Sequence, residues 1–437
     1  MKTIDSIPTS KIERAAKILQ TGAKVGVNYL KFYVEKVTTS AEQAKDNLDE
    51  SNAEDIYNGL KQLKGSALKA AQMMSMDKSI LPRAFVEKFS LAQFSVPPLS
   101  PPLVEKTFKK YFGKGPNEMY DTFDFNAVNA ASIGQVHKAT LNGKSLAVKI
   151  QYPGVAQSIS SDLSLIKPAA LRMLNMKASE SEIYFKEVES KLLEETDYLK
   201  EIQQSDFIVK SCQHLLNLKF PRYYQELSNQ KVITMDWMEG LHLSEFVKVN
   251  HDKNLSNILS QALWDFYMFQ IHHLKQFHAD PHPGNFLIST DHQLIAIDFG
   301  CIKSIPQEFY NPFFDLAQKE NIDNPAVFRE KLIELEILFP QDKPEDVEYF
   351  TSLFHELLSL FTRPFHEETF DFSDESFFEE ITLLGQKYAK SNELKKMNAA
   401  RGSRHFIYMN RTFFGLYNLM FDLKGEKVVI NNYKKYI

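Results

Sequence analysis
At 437 residues the chain is longer than one core usually takes, so two or three subdomains are expected. Hydrophobic residues make up 43% and charged residues 24%, as in a globular protein, and a net charge of -5 gives no general electrostatic reason to bind nucleic acid. The two cysteines, Cys212 and Cys301, lie far apart with no CxxC spacing, which argues against a disulfide framework or a zinc site and for a reducing interior.

The opening MKTIDSIPTSKIERAAK lacks the apolar core and cleavage site of a signal peptide, and no apolar run approaches the roughly 18–20 residues of a membrane-spanning helix. A cytoplasmic location is the expectation. Residues 10–37 read as one helix, opened by the capping box Ser10 to Glu13. Apolar residues recur densely along it, and Lys17, Lys24, Lys31 and Lys36 form a basic face. Such a helix either docks on its own protein, the simpler reading, or lies on a membrane surface.

Residues 39–50 are polar and read as a linker. A second capping box, Ser51 to Glu54, predicts a helix from there to about residue 76. Its centre, GSALKAAQMMSM, is apolar nearly all round and therefore buried. Lys69 and Gln72 share a face of it. A buried lysine requires an acidic partner, unless it snorkels to solvent. The four prolines of SVPPLSPPL (95–103) predict an extended connector.

After the connector the pattern turns to strands. SIGQVHKATL, the turn NGK and SLAVKI predict a hairpin with Asn142-Gly143 in a type I′ turn. Residues 181–210 read as helical and acid-rich. KVITMDWMEG (231–240) reads as a strand entering a connector, and Leu255 to His278 as an aromatic-rich helix. FLI (286–288) and LIAI (294–297) predict a short hairpin. Beyond Pro306 the chain reads helical almost to Leu423.

The short hairpin carries the chemistry. One strand begins just after Asn285 and the other ends just before Asp298, so antiparallel pairing should set these two residues side by side. An amide oxygen and a carboxylate are hard ligands suited to Mg2+. Asp298 opens a D-F-G, and Asp280 stands five residues before Asn285, the D-x-x-x-x-N spacing of a protein-kinase catalytic loop. Singly, each signal is weak, and Asp298 could be a plain turn residue. Together and in order they point to phosphoryl transfer. Lys149 in SLAVKI matches the kinase lysine that contacts nucleotide phosphates, though a surface strand lysine is the alternative. Where a kinase has G-x-G-x-x-G, this chain has NAASIGQVH (129–137) with one glycine, Gly134. MDWM, residues Met235, Asp236, Trp237 and Met238, stands where the adenine-binding hinge belongs.

These residues resemble the UbiB family of atypical, protein-kinase-like proteins, which includes the coenzyme-Q-biosynthesis kinases of mitochondria. The resemblance runs from about residue 7 to about residue 424. KAAQ (69–72) looks like the family's K-x-G-Q, NAASIGQVH like its Ala-rich loop, and VKIQYPGVAQSI (148–159) like its lysine strand. EETDYLKE (194–201), HADPHPGN (278–285), DFG (298–300) and NRTFFGLY (410–417) complete the set.

The resemblance implies an α+β, bilobal protein-kinase-like fold with an N-terminal helical extension packed over the active site. The extension would be residues 1–98, a kinase-like N-lobe 99–238 and a helical C-lobe 239–437. It implies ATP binding by Ala130, Ala131, Ser132, Ile133, Gly134 and Gln135, by Lys149, and by the hinge. Lys149 would pair with Glu201, and Asp280 would hold the catalytic-aspartate position. Asn285 and Asp298 would hold Mg2+ or Mn2+, and Lys69 and Gln72 would meet Glu195 and Asp197. The implied activity is ATP hydrolysis or phosphorylation of a small or lipid-like molecule, supporting isoprenoid quinone biosynthesis. A true protein kinase and a nucleotide-binding scaffold remain the alternatives. The implied partners are nucleotide, quinone-biosynthesis enzymes or a lipid-like molecule, and the inner face of a membrane. Ala71 replaces the K-x-G-Q glycine, Asn129 one alanine of the usual three, and Ala279 the arginine of the kinase H-R-D. His272, His273, His282 and Cys301 are read as structural.

Overall fold
Two units divide the chain: Met1–Ile202 with Arg222–Trp237, and Gln203–Pro221 with Met238–Ile437. The computed structural model describes residues 11–63, 65, 67–68, 84–85, 88, 98–130, 133–174, 178–389 and 401–437.

The first unit opens with two antiparallel helices, α1 (Lys11–Thr38) and α2 (Ala41–Leu63). Residues 39–50 are thus not a linker, and Ser51 lies inside α2 rather than capping it. Ala44, Leu48, Ala53, Tyr57 and Leu60 are all buried at helical spacing, and this stripe carries the helix through the polar stretch. Ser40 supplies the capping contact instead, its Oγ accepting from Gln43 N at 3.2 Å. The proline-rich connector is also shorter than its composition implies. Helix α3 (Pro101–Phe112) starts on Pro101, because the first helical turn needs no N–H from proline.

A five-stranded sheet follows. It contains β1 (Thr122–Phe123), β2 (Asn129–Ala130), β3 (Gly134–Leu141) and β4 (Lys144–Gln151). Three helices come next: α4 (Val155–Leu174), α5 (Ala178–Glu195) and α6 (Tyr198–Cys212). The single helix expected over 181–210 breaks at Asp197, whose Oδ1 accepts from Lys200 N at 3.1 Å and so caps the second piece. Strand β5 (Leu218–Lys219) belongs to the second unit. Strand β6 (Val232–Asp236) returns to the first sheet, whose order is β1-β3-β4-β6 with β2 on β3. The β3–β4 turn has Asn142 at φ 51° and Gly143 at φ 74°, the two positive angles a type I′ turn needs. Val148, Ile150, Tyr152 and Val232 pack with Phe108 and the inner residues of α2 in one core.

The second unit is built around helix α7 (Lys253–Met268), capped by Asp252 and carrying the fully buried Trp264, Phe266 and Tyr267. The helix expected to reach His278 ends earlier. A π-helical turn covers Phe269–Leu274, Lys275 takes φ 53°, and β8 (Gln276–His278) is a strand. Its partner is β11 (Ile302–Ser304). A four-stranded sheet has the order β5-β10-β9-β7, with β7 at Leu241–His242, β9 at Phe286–Ile288 and β10 at Leu294–Ala296. Near the C-terminus α8 (Arg404–Leu423) packs on α7.

Candidate active site
In the first unit, Lys149 sits on β4 opposite Val136 of β3 and Ile233 of β6. Its neighbours Val148 and Ile150 are fully buried, so the strand is fixed and only Lys149 turns out of the core. Its Nζ lies 2.6 Å from Glu201 Oε1, and the two side chains are 17% and 5% exposed. The same ammonium stands over the Tyr198 ring, 5.2 Å from its centroid. Glu201 is placed by the first turn of α6, where its N–H donates to Asp197 C=O at 3.0 Å.

Gly134 explains itself by close approach. A Cβ there would fall 2.7 Å from the Ile150 carbonyl oxygen and 2.9 Å from the Tyr198 hydroxyl. The loop therefore retains a glycine where the ring under Lys149 passes. Ala130 and Ile133 are buried, while Ala131 and Ser132 lie outside the described residues. Gln135 is also buried. Its Oε1 accepts from Leu99 N at 2.6 Å, and its Nε2 meets His137 Nε2 at 2.7 Å. Its side chain thus holds the loop to the segment before α3. Burial lowers the His137 pKa, which keeps that ring neutral.

Of the residues expected at the hinge, Met235 and Asp236 end β6 and Trp237 and Met238 follow it. Asp236 is tied down by the Tyr224 hydroxyl and Arg222 N, and Trp237 N–H donates to Ser145 C=O at 3.0 Å. Met238 belongs to the second unit. Glu195 ends α5 and Asp197 is exposed at the break. Their expected partners, Lys69 and Gln72, lie outside the described residues, as does Ala71.

In the second unit, β9 and β10 pair antiparallel with Ala296 opposite Phe286. Ile297 N–H then donates to Asn285 C=O at 3.1 Å, which puts Asn285 one residue from Asp298 across the hairpin end. Asn285 Nδ2 donates to Asp280 C=O at 2.9 Å and stands 3.4 Å from its Oδ2. Asp298 Oδ1 accepts from Gly300 N at 2.9 Å. Phe299 is fully buried among Phe220, Phe266 and His278, so the D-F-G anchors on the core behind Asp298. His282 accepts from Gly284 N–H, and buried His272 meets the Tyr310 hydroxyl at 2.6 Å. Among the described residues no group of three or more His, Cys, Asp or Glu could hold a metal ion.

One contact was missed by the motif reading. Arg411 of α8 reaches Asp280, with Nη2 3.0 Å from Oδ1. The signal was available: Arg411 is a cation in an apolar helical run, between Met409 and Phe413, and such a group requires an acidic partner.

The sequence profile of the ABC1 atypical kinase-like domain matches residues 91–322. The chain belongs to that family, also called UbiB or aarF. Among ABC1 relatives, the mitochondrial atypical kinase COQ8 of Saccharomyces cerevisiae is 30% identical over 313 residues, 70% of this chain and 62% of that one. Protein ACTIVITY OF BC1 COMPLEX KINASE 7 of Arabidopsis thaliana is 30% identical over 64% of this chain. The chain spans 41% of that protein's length and 57% of the probable serine/threonine-protein kinase abkA of Dictyostelium discoideum. Mycobacterium tuberculosis Rv3197, solved with erythromycin, shares the ABC1-type fold at a TM-score of 0.60 and 22% identity, over 91% of this chain and 98% of that one.

Proposed function
We propose that this ABC1-family chain binds ATP with Mg2+ and either hydrolyses it or passes its terminal phosphoryl group to a small or lipid-like molecule, in support of isoprenoid quinone biosynthesis. The observation that carries the reading is the pairing of Ile297 with Asn285, which seats Asn285 and Asp298 together at one hairpin end. Their donors fit the cation. Asn285 turns its amide nitrogen to Asp280, which leaves its oxygen on the other side, and the Gly300 N–H fixes the Asp298 carboxylate. Two hard oxygens suffice for Mg2+, which keeps waters and shares phosphate oxygens. When bound, the ion would neutralise phosphate charge.

The chain's own residues would do the rest. Lys149, held by Glu201, would contact phosphate oxygens. The backbone of residues 235–238 would take the adenine, and Asp280 would orient water or an acceptor hydroxyl. The quinone assignment rests on the UbiB resemblance of the motifs. Thermal unfolding with and without nucleotide tests the reading. ATP and ADP should stabilise the protein with Mg2+, by about 2.7 kcal/mol at a hundredfold excess over Kd, and chelation or Asp298→Ala should abolish it. No shift with either nucleotide would sink the proposal. Labelled phosphate on added proteins would favour a protein kinase, and binding without turnover a scaffold.

A peripheral membrane contact is favoured by one specific observation, the outward face of α1. Ile12, Leu19, Leu30 and Val34 are each at least 69% exposed there. Among the described residues no helix is long and apolar enough to cross a membrane.

A further inference from the structure
We propose that Arg411 is a positioning residue for Asp280, supplying from α8 the cation that aims and neutralises the catalytic-position carboxylate. The inference rests on the phosphoryl-transfer reading above. It concerns a residue outside the matched domain, which ends at residue 322.

The two carboxylate oxygens of Asp280 face different groups. Oδ1 takes the Arg411 Nη2 at 3.0 Å, and Oδ2 faces Asn285 Nδ2 at 3.4 Å. A guanidinium contact is charge-assisted and directional, so it sets the plane of the carboxylate as well as its charge. The side chains are 25% and 22% exposed, wet enough for an acceptor to reach and dry enough for the pair to persist.

Helix α8 is built to hold this contact. Gly415 lies one turn beyond Arg411 and so on the same face. A Cβ at 415 would fall 2.4 Å from Pro281 Cγ and 3.0 Å from the Pro281 carbonyl oxygen. The helix therefore lies flush on the residue after Asp280, and only glycine permits it. The loop is wound just as tightly from its own side, since His282 N–H and Asn285 Nδ2 both donate to Asp280 C=O.

No arginine adjoins Asp280 in the sequence. In the kinase H-R-D motif an arginine precedes the catalytic aspartate. Here that position is Ala279, which is fully buried. The cation arrives instead from 131 residues away in sequence.

The test uses the full chain and measures ATP turnover with Mg2+ for wild type, Arg411→Ala, Arg411→Lys, Asp280→Asn and the Asp280→Asn/Arg411→Ala pair. Arg411→Ala should lower kcat about 100-fold through misplacement of the carboxylate. KM for ATP should stay within about threefold, because the lost contact is not to nucleotide. Arg411→Lys should recover part of the loss, as should millimolar guanidinium added to Arg411→Ala. The double variant should be no slower than Asp280→Asn alone, the behaviour of two groups acting as a unit. Should Arg411→Ala fail to fold, Arg411→Gln carries the same comparison. An active wild type with Arg411→Ala at wild-type kcat, or a strictly additive double variant, overturns the inference and leaves the phosphoryl-transfer reading intact. A wild type that neither binds nor turns over ATP overturns both, and that failure is read from the wild type alone.

Discussion

Lys149 and Glu201 meet at 2.6 Å in the first unit, and Glu201 is the more buried of the two. Removing the lysine would strip the nearest cation from a desolvated carboxylate. Lys149→Met should therefore cost about 3 kcal/mol of stability, the lower end for breaking a buried pair. Replacing both, as Lys149→Met/Glu201→Leu, should restore most of that stability, because apolar groups of similar volume substitute well for a buried pair. It should not restore nucleotide binding. Urea unfolding and nucleotide titration of the three proteins separate the two roles. Recovered nucleotide binding in the double variant would show that Lys149 serves the fold alone.

Gly134 makes a second, sharper case. Its missing Cβ would meet backbone at Ile150 and the Tyr198 hydroxyl, and neither can move without disturbing β4 or the ring beneath Lys149. Gly134→Ala should cost about 1–3 kcal/mol from overpacking and weaken nucleotide binding as well. Gly143→Ala is the control. It has open space around it but φ 74°, so it should cost roughly 1 kcal/mol of strain and leave binding unchanged. Equal effects of both substitutions on binding would refute the close-approach argument.

The kinase-like motifs are legible because each couples a residue type to a spacing. Asn142-Gly143 marks the turn between β3 and β4, and the hairpin geometry places Asn285 by Asp298. The long-range contacts were harder. Nothing local says that Arg411 pairs with Asp280 rather than with another acid, because that choice is made by how α8 packs. The errors share a cause. Residues 39–50 read as a linker on polar composition alone, and 95–103 as a connector on proline composition alone. Buried Ala44 and Leu48 in one case, and the tolerance of a first helical turn for Pro101 in the other, decided the structure. Lys69, Gln72 and Ala71 lie outside the described residues.

His272 ties stability to pH. It is 2% exposed, and burial first, then the charge of Lys275, pushes its pKa down to about 3. An unfolded histidine titrates near 6.5. Between these values the unfolded chain binds the extra proton, so stability is complete above pH 6.5 and falls as the pH drops. The loss from this group should be about 1.4 kcal/mol per pH unit. His272→Gln, which keeps an acceptor for the Tyr310 hydroxyl, should be less stable at pH 7.5 yet lose less between pH 7.5 and 5.5. Urea midpoints at the two pH values decide it. Parallel losses in wild type and variant would assign the acid sensitivity to other groups.

Helix α1 carries buried polar pairs on its inner face and large apolar residues on its outer one. Its inner face is pinned by polar pairs set beside the partly buried Ile18: Arg14 donates to both carboxylate oxygens of buried Asp162 at 2.6 Å and to Leu63 C=O at 2.9 Å. Asn28 meets Asn52 and Asp55 on the same side. The apolar residues Ile12, Leu19, Leu30 and Val34 face solvent instead, and Lys17, Lys24 and Lys31 run beside them at seven-residue intervals. Directional pairs thus hold the helix in place while the apolar stripe stays outside, an arrangement that suits a lipid interface bordered by lysines. The chain should co-sediment with vesicles of anionic and zwitterionic lipid, more weakly as salt screens the lysines. Leu19→Ser/Leu30→Ser should release it to the supernatant with an unchanged unfolding midpoint, since neither residue is buried. Arg14→Ala should do the reverse, lowering stability by about 3 kcal/mol through the stranded Asp162. A wild-type chain that stays in the supernatant at low salt would remove the membrane reading and leave the Arg14 prediction standing.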